Sequence, residues 1–194
     1  PGLDLGAGEK ERGTMETILS SPASRLDIVL GKFGVILTAG ISTALISFAS
    51  LNISVHLFPE IPIDILEIIS NMLGLKMVAL ILTLIIPIAV FFSAAILTLS
   101  IYARSFKEAQ SIVTPLNIVI IIPAAIGMMP GMELNTITAL VPILNVSLAT
   151  KEMLSGSTDW FLLTEVYVSL FVLAGLSLWF CVKWFNREEI IFRY

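Results

Sequence analysis

The residues that could do chemistry are concentrated near the start of the chain, in the stretch GEKERGTMETILSSPASRLDIVLGK at positions 8–32. Acidic and basic side chains lie close together there, whereas the sequence that follows is long, apolar and uncharged. A short polar segment with charges of both signs is typical of a surface that docks a partner protein, or of a solvated loop at a membrane face. Charge alone leaves both interpretations open.

A nucleotide-binding loop is the first enzymatic chemistry to consider in this stretch. The only Gly-Lys pair of the sequence is Gly31-Lys32, and Phe33 follows it where a phosphate-cradling loop needs Ser or Thr. Leu26 stands where such a loop has its earlier glycine. We therefore predict that this chain does not hydrolyse ATP, binds no cofactor itself and has no catalytic residues.

Two other site chemistries lack the partners that they need. The motif EEIIFR at positions 188–193 has the Glu-Glu-x-x-x-Arg form of one family of intramembrane proteases. Such an enzyme needs histidine partners, and the only histidine, His56, is predicted on the opposite side of the membrane. The single cysteine, Cys181, has no neighbouring metal ligand and cannot form an internal disulfide. An intramembrane protease therefore stays an alternative interpretation that lacks the histidine partners it needs. No metal site is predicted.

The elements that must position these residues are membrane-spanning helices. Of 194 residues, 57% are hydrophobic and 13% are charged, and the mean hydropathy is +0.97. A soluble domain of this length cannot bury so much apolar surface, and four runs approach the roughly 20 residues that a helix needs to cross a bilayer. Backbone groups in lipid must be satisfied internally, so we predict an all-α integral membrane protein. Its four spans are predicted at residues 33–51, 77–103, 112–129 and 160–182.

The distribution of Lys and Arg predicts the orientation of these spans. If residues 8–32 are cytoplasmic, four spans place residues 105–111 and the carboxyl terminus in the cytoplasm as well. Only Lys76 and Lys151 then fall on the outer side, and every other Lys and Arg lies in a cytoplasmic segment or at its edge. The positive-inside rule therefore predicts a multi-pass plasma-membrane protein with both ends of this chain in the cytoplasm.

Two further apolar stretches are predicted on the outer side. Residues 61–75 place polar side chains at helical spacing opposite an apolar face, which predicts an amphipathic helix at the membrane surface. Residues 134–148 are too short to cross and carry Asn135, Asn145 and Pro142, which favours a re-entrant or interfacial helix pair. The whole chain, residues 1–194, is predicted to form a single transmembrane domain.

Capping signals divide the charged stretch into two helices. Thr14 is predicted to cap a short helix over METILS, with Glu16 in its first turn. Ser21 is predicted to cap a second helix that has Pro22 at its first position and runs into the first span.

With these features in place, the stretch resembles the signature segment of type-2 ABC exporter permeases, most closely the NatB-like sodium-export branch. The residues that match the family pattern are Glu9, Glu11, Arg12, Gly13, Thr14, Glu16, Thr17, Pro22, Arg25, Gly31 and Lys32. Residues 141–156, VPILNVSLATKEMLSG, resemble the outer Pro-x-x-Asn segment of that family, and residues 183–194 resemble its cytoplasmic tail. Such permeases usually have six spans, so the resemblance implies that this chain lacks the amino-terminal spans.

The resemblance implies a permease subunit that is driven by a partner. In such exporters a short coupling helix sits in a groove of a separate ATPase subunit, which holds ATP and Mg²⁺, and the permease exports an ion or small molecule, here with sodium as one candidate. It also implies a second permease copy, as a homodimer or with a similar subunit, in the lipid bilayer, with no nucleic-acid partner. The residues expected to contact the ATPase are Glu9, Glu11, Arg12, Gly13, Thr14, Glu16 and Thr17.

Polar residues inside the spans are candidates for the translocation path. Asn117 in the third span and Glu165 near the outer end of the fourth are the two selected here. The alternatives are that Asn117 links neighbouring helices and that Glu165 reaches the outer water. A non-transporting membrane scaffold or assembly protein stays open as a different class, because no charged pathway crosses the spans.

Overall fold

The computed structural model describes residues 2–57, 74–157 and 159–185, and these ranges are helical with turns and without a strand. A π-helical turn at Asp4–Gly8 leads into α1 (Glu9–Glu11), which is followed by α2 (Thr14–Leu19). The four long helices are α3 (Arg25–Leu57), α4 (Leu75–Tyr102), α5 (Phe106–Gly127) and α8 (Trp160–Phe185). Two short helices, α6 (Thr136–Ala139) and α7 (Leu144–Ser155), connect α5 to α8.

The four long helices are the elements that can cross a bilayer. By length and composition, the candidate spans are Arg25–Val55, Met77–Tyr102, Phe106–Gly127 and Trp160–Phe185. Each predicted span corresponds to one of them, so the predicted all-α fold with four candidate transmembrane helices is confirmed. The predicted amphipathic helix at 61–75 falls almost entirely on residues 58–73, and the carboxyl-terminal tail on 186–194, which lie outside the described residues.

The two capping predictions near the start of the chain are wrong by a few residues. The α2 helix is preceded by Gly13, and the Thr14 hydroxyl instead donates to the Glu9 carbonyl oxygen at 3.2 Å. The α3 helix begins at Arg25, because the Ser24 hydroxyl accepts the backbone N–H of Asp27 at 3.2 Å. Ser21 and Pro22 lie in the turn before it. A Ser, Thr or Asn close to the true start can supply the same bond, and sequence spacing does not tell them apart.

The α4 helix is central, since it contacts α3, α5, α7, α8 and the π-helical turn. Buried apolar side chains form two main clusters at opposite ends of it. One cluster joins α2, the start of α3, the end of α4 and the end of α8 and includes Met15, Phe33, Ile101 and Phe185. The other joins α6 and α7 to the first halves of α4 and α8 and includes Leu84, Ala139, Leu148 and Leu170. We call the first the charged end. We call the second the hairpin end, after the helical hairpin that α6 and α7 form.

Large apolar side chains cover the outside of the bundle. Ile46 on α3, Ile121 on α5 and Phe171 on α8 are 68%, 63% and 57% exposed. A soluble protein rarely leaves such wide apolar faces in water, whereas lipid chains or further transmembrane helices cover them without cost. The exposed surface thus agrees with the membrane-spanning assignment of the same helices.

Candidate functional site

The candidate site is the amino-terminal segment, residues 4–19, which lies against the charged end of the bundle. Its π-helical turn packs on α4 and α5, and α1 continues directly from that turn. Gly13 then reverses the chain at φ 69° and ψ 11°, a left-handed conformation that glycine adopts without steric cost. The segment therefore presents one side to the helix ends and the other away from the bundle.

Lys32 fixes the segment to the start of α3. Its ammonium contacts the Glu9 carboxylate, donates to the Leu5 carbonyl oxygen at 2.6 Å and lies 3.8 Å from the Met15 sulfur. The side chains of Lys32 and Glu9 are only 7% and 13% exposed. Charges so far from water need a partner and further hydrogen bonds, and this arrangement provides both.

Lys10 and Glu11 fix the segment to two other helices by opposite charges. The buried Lys10 ammonium donates to the Ile101 carbonyl oxygen at the carboxyl end of α4. The Glu11 carboxylate accepts the backbone N–H of Phe106, the first residue of α5, at 2.9 Å. A helix carries partial negative charge at its carboxyl end and partial positive charge at its amino end. The positive charge of Lys10 is therefore favourable at the end of α4, and the negative charge of Glu11 at the start of α5.

Small residues bring the backbone of the segment into contact with α4. The Ala7 N–H donates to the Ser100 hydroxyl at 2.9 Å, and that hydroxyl donates to the Leu3 carbonyl oxygen at 2.7 Å. A Cβ added to Gly6 would lie 2.4 Å from the Ser100 hydroxyl oxygen and 2.8 Å from its carbonyl carbon. Only glycine fits at this point, so the segment is held by close backbone packing as well as by charge.

The opposite side of the segment is solvent-exposed and polar. The Arg12 guanidinium pairs with the Asp4 carboxylate at 2.8 Å, with both side chains about half exposed. That hydrogen bond lowers the pKa of the Asp4 carboxyl below its ordinary value, and it raises the pKa of Arg12. The other exposed residues on this side are Gly13, Thr14, Glu16 and Thr17.

The structure thus divides the seven residues selected as ATPase contacts. Glu9 is turned inward onto Lys32, and the Glu11 carboxylate accepts the first N–H of α5. Arg12, Gly13, Thr14, Glu16 and Thr17 are exposed together and form what we call the outer face of the segment. Sequence reasoning missed the anchoring role of Lys10 and Lys32. Their signal was two lysines close to a predicted span, in a stretch that also supplies Glu9, the acidic partner of Lys32.

The two candidate path residues lie on different surfaces. Asn117 is on the exposed side of α5. Glu165 is partly buried on α8, and among the described residues its carboxylate oxygen Oε2 is buried without a hydrogen-bond donor. The structure does not bring them together in one site.

The hairpin end is built around Asn145, which belongs both to the stretch predicted to be re-entrant or interfacial and to the Pro-x-x-Asn segment. Its side chain is fully buried, and its amide nitrogen donates to the Ala139 carbonyl oxygen at 2.9 Å and to the Ser169 hydroxyl at 3.0 Å. Ser169 lies nine residues into α8, which corresponds to about 13 Å along the helix axis. The α6–α7 hairpin therefore reaches about a third of the way along α8, as a re-entrant element would.

The fold and the site together define a class of protein. Four candidate spans, wide apolar outer faces and a polar segment fixed across one end are the features of a multi-pass membrane protein.

The chain belongs to a family of membrane transporters, the family described as ABC-2 family transporter protein, whose model matches residues 2–190. Families of this kind supply the membrane-spanning subunit and not the ATPase. The chain is 28% identical over 165 residues to the ABC transporter permease protein NatB of Bacillus subtilis (strain 168), an alignment that covers 81% of this chain and 40% of that protein. The chain therefore spans about two fifths of that relative. No solved structure matches it.

Proposed function

We propose that this chain is part of the membrane-spanning permease of an ATP-binding-cassette exporter and that residues 8–32 couple it to a separate ATPase subunit. Family membership and the similarity to a protein named as an ABC transporter permease support a permease. The observation that carries the coupling role is the division of the amino-terminal segment into an anchored inner side and an exposed polar outer face.

The inner side has the contacts that a lever needs. Glu9 binds Lys32 of α3, Lys10 binds the end of α4, and Glu11 binds the start of α5. A force applied to the segment would therefore reach three candidate spans through charge-assisted bonds, which are the stronger class of hydrogen bond. The outer face, which comprises Arg12, Gly13, Thr14, Glu16 and Thr17, offers exposed polar groups for a protein partner.

In this proposal the ATPase binds ATP and Mg²⁺ and pushes on the segment as it closes, and the spans rock between inward- and outward-facing states. A second permease copy, identical or similar, completes the transporter in the bilayer. Both ends of this chain lie in the cytoplasm of a plasma-membrane protein, as its Lys and Arg distribution favours. The cargo is an ion or small molecule, and sodium is the first to test because of the resemblance to the sodium-export branch.

The test is co-purification of the full-length permease with its ATPase at constant detergent and salt, since surface charge contacts weaken as salt rises. We expect Glu16→Lys and Thr17→Arg each to reduce the amount of retained ATPase at least tenfold. Glu16→Lys reverses a charge on the outer face, and Thr17→Arg adds a larger, charged side chain to it. Lys107→Glu is the matched control, an exposed charge reversal at the same end of the bundle outside the segment. Glu11→Lys is a poorer probe, because the Glu11 carboxylate also holds Phe106.

Retention of the ATPase by both outer-face variants would contradict the docking assignment. If the unmodified permease retains no ATPase at all, the non-transporting scaffold becomes the better description of this chain.

A further inference from the structure

Two buried oxygen atoms at the hairpin end have no hydrogen-bond donor among the described residues. They are the side-chain Oδ1 of Asn145 and the carboxylate Oε2 of Glu165. Both atoms are acceptors, and a buried acceptor without a donor costs about 1–3 kcal/mol. Such an atom in a native structure calls for a water molecule, an ion or a ligand to complete it.

The orientation of the Asn145 amide is fixed by its neighbours. Its nitrogen faces the Ala139 carbonyl oxygen, which can only accept, so exchanging the nitrogen and oxygen would place two acceptors together. The Oδ1 atom is therefore a buried acceptor without a donor among the described residues.

Ser169 connects the two oxygens. Its hydroxyl accepts from the Asn145 amide at 3.0 Å and lies within donating distance of the Val166 and Ala139 carbonyl oxygens. Glu165 is four residues earlier on α8 and therefore shares its face, about 5–6 Å towards the outer end. Asn145 therefore contacts α8 one helical turn from Glu165, so that an amide, a hydroxyl and a carboxyl group belong to the same part of the hairpin end.

We propose that Asn145, Glu165 and Ser169 form a binding site for a monovalent metal cation. Oxygen atoms are the ligands that hard cations prefer, and the set carries one negative charge when Glu165 is ionised. In a region of low dielectric a single positive charge neutralises that set, whereas a divalent ion would leave an uncompensated charge. The hydrogen-bonded amide nitrogen of Asn145 holds its oxygen in place, as the supporting bonds of a metal ligand do.

The role of this ion as cargo rests on the proposed export function, but its binding needs no ATPase. The two ideas can therefore fail separately. Loss of ATPase retention would leave cation binding untouched, and absence of cation binding would leave the docking segment untouched.

The test is the thermal unfolding midpoint of the purified full-length permease, without ATPase, as choline chloride is replaced by sodium or potassium chloride at constant ionic strength. A ligand that binds only the folded state raises this midpoint with concentration. We expect a rise with sodium or potassium that Glu165→Gln shifts to at least tenfold higher concentration, since Gln keeps the shape and removes the charge. The control is Glu133→Gln, which changes an exposed carboxylate outside the proposed site. Its unfolding midpoint is expected to respond to sodium or potassium as that of the unmodified protein does.

Two outcomes would overturn the site: a midpoint that is the same in choline chloride as in sodium or potassium chloride, or a Glu165→Gln variant that titrates like the unmodified protein. In either case water would complete the buried oxygen atoms of Asn145 and Glu165. Equilibrium binding of radioactive sodium or rubidium to the unmodified permease gives a second measurement that needs no variant. Saturation at one ion per chain supports the site, and no saturable binding overturns it.

Discussion

The two ends of the bundle hold short elements against the long helices by different chemistry. At the charged end, the buried Lys32 contacts Glu9, while the buried Lys10 and the carboxylate of Glu11 bind the end of α4 and the start of α5, respectively. At the hairpin end, the fully buried Asn145 makes neutral contacts, to a carbonyl and a hydroxyl. Lys151 of the hairpin end is exposed and donates to the Met129 and Met132 carbonyl oxygens that follow α5.

The difference teaches where the described part of this fold buries lysine. Among the described residues the two buried lysines are Lys32, which faces a carboxylate, and Lys10, which faces the carboxyl end of a helix. At the hairpin end, the same task of holding a segment falls to the amide of Asn145 and the hydroxyl of Ser169, whose desolvation costs less than that of a charged group. The charged end should therefore be the more easily broken by a single substitution.

The largest expected effect is that of Lys32→Met. It leaves the Glu9 carboxylate buried without its cation, and breaking one partner of a buried pair costs about 3–5 kcal/mol in the free energy of unfolding. Denaturant titration in mixed micelles measures this loss. The double variant Lys32→Met with Glu9→Gln is expected to recover most of it, and Lys151→Met, at the exposed lysine of the other end, to cost less than about 1 kcal/mol. Equal losses for Lys32→Met and Lys151→Met would break the comparison.

Two glycines that meet serines sharpen the comparison in steric terms. A Cβ at Gly6 would lie 2.4 Å from the Ser100 hydroxyl and 2.9 Å from the Ile101 nitrogen, whereas a Cβ at Gly127 would lie 2.6 Å from the Ser147 hydroxyl. Overpacking costs about 1–3 kcal/mol, and we expect Gly6→Ala at the upper end because backbone atoms stand in its way. Gly127→Ala meets a side chain and should cost less. Thermal midpoints of the two variants decide the order, and the reverse order would contradict this account.

A smaller effect is expected at the hairpin end from Asn145→Ala. The substitution removes two hydrogen bonds but leaves no buried charge, so the free energy of unfolding should fall by about 1–3 kcal/mol. Asn117→Ala, on the exposed side of α5, is the matched control and should change it by less than about 0.5 kcal/mol. The same denaturant titration measures both. A loss at Asn145 as large as that at Lys32 would remove the distinction between charged and neutral anchoring.

The smallest effect concerns the exposed pair of Asp4 and Arg12. Because Arg12 lowers the pKa of the Asp4 carboxyl, the pair contributes to stability above the ordinary pKa of an aspartate, and the contribution disappears as pH falls through the lowered pKa. In Arg12→Gln, the pKa of the Asp4 carboxyl, measured by NMR titration, should return towards its ordinary value. No change in that titration would show that the exposed pair is not formed in solution.

How much the sequence could predict differs between the same two ends. Long uncharged runs predicted the four candidate spans, because only helices satisfy the backbone in lipid. The sequence could not predict which side chains of residues 8–19 face the bundle. Glu9 and Glu16 are the same residue type, and only the contact with Lys32 turns Glu9 inward. Asn145 was visible within its Pro-x-x-Asn segment, but its partners Ala139 and Ser169 come together only when the hairpin packs on α8.

One backbone feature of the hairpin has a practical consequence. Ile143, just before α7, has φ 72° and ψ −50°, a conformation that a β-branched residue rarely adopts. Strain of this kind costs on the order of 1–3 kcal/mol and persists where the surrounding structure enforces it. Glycine at this position would relieve the strain, so the bend that delivers Asn145 to α8 is also a natural place to engineer a more heat-resistant permease for crystallisation.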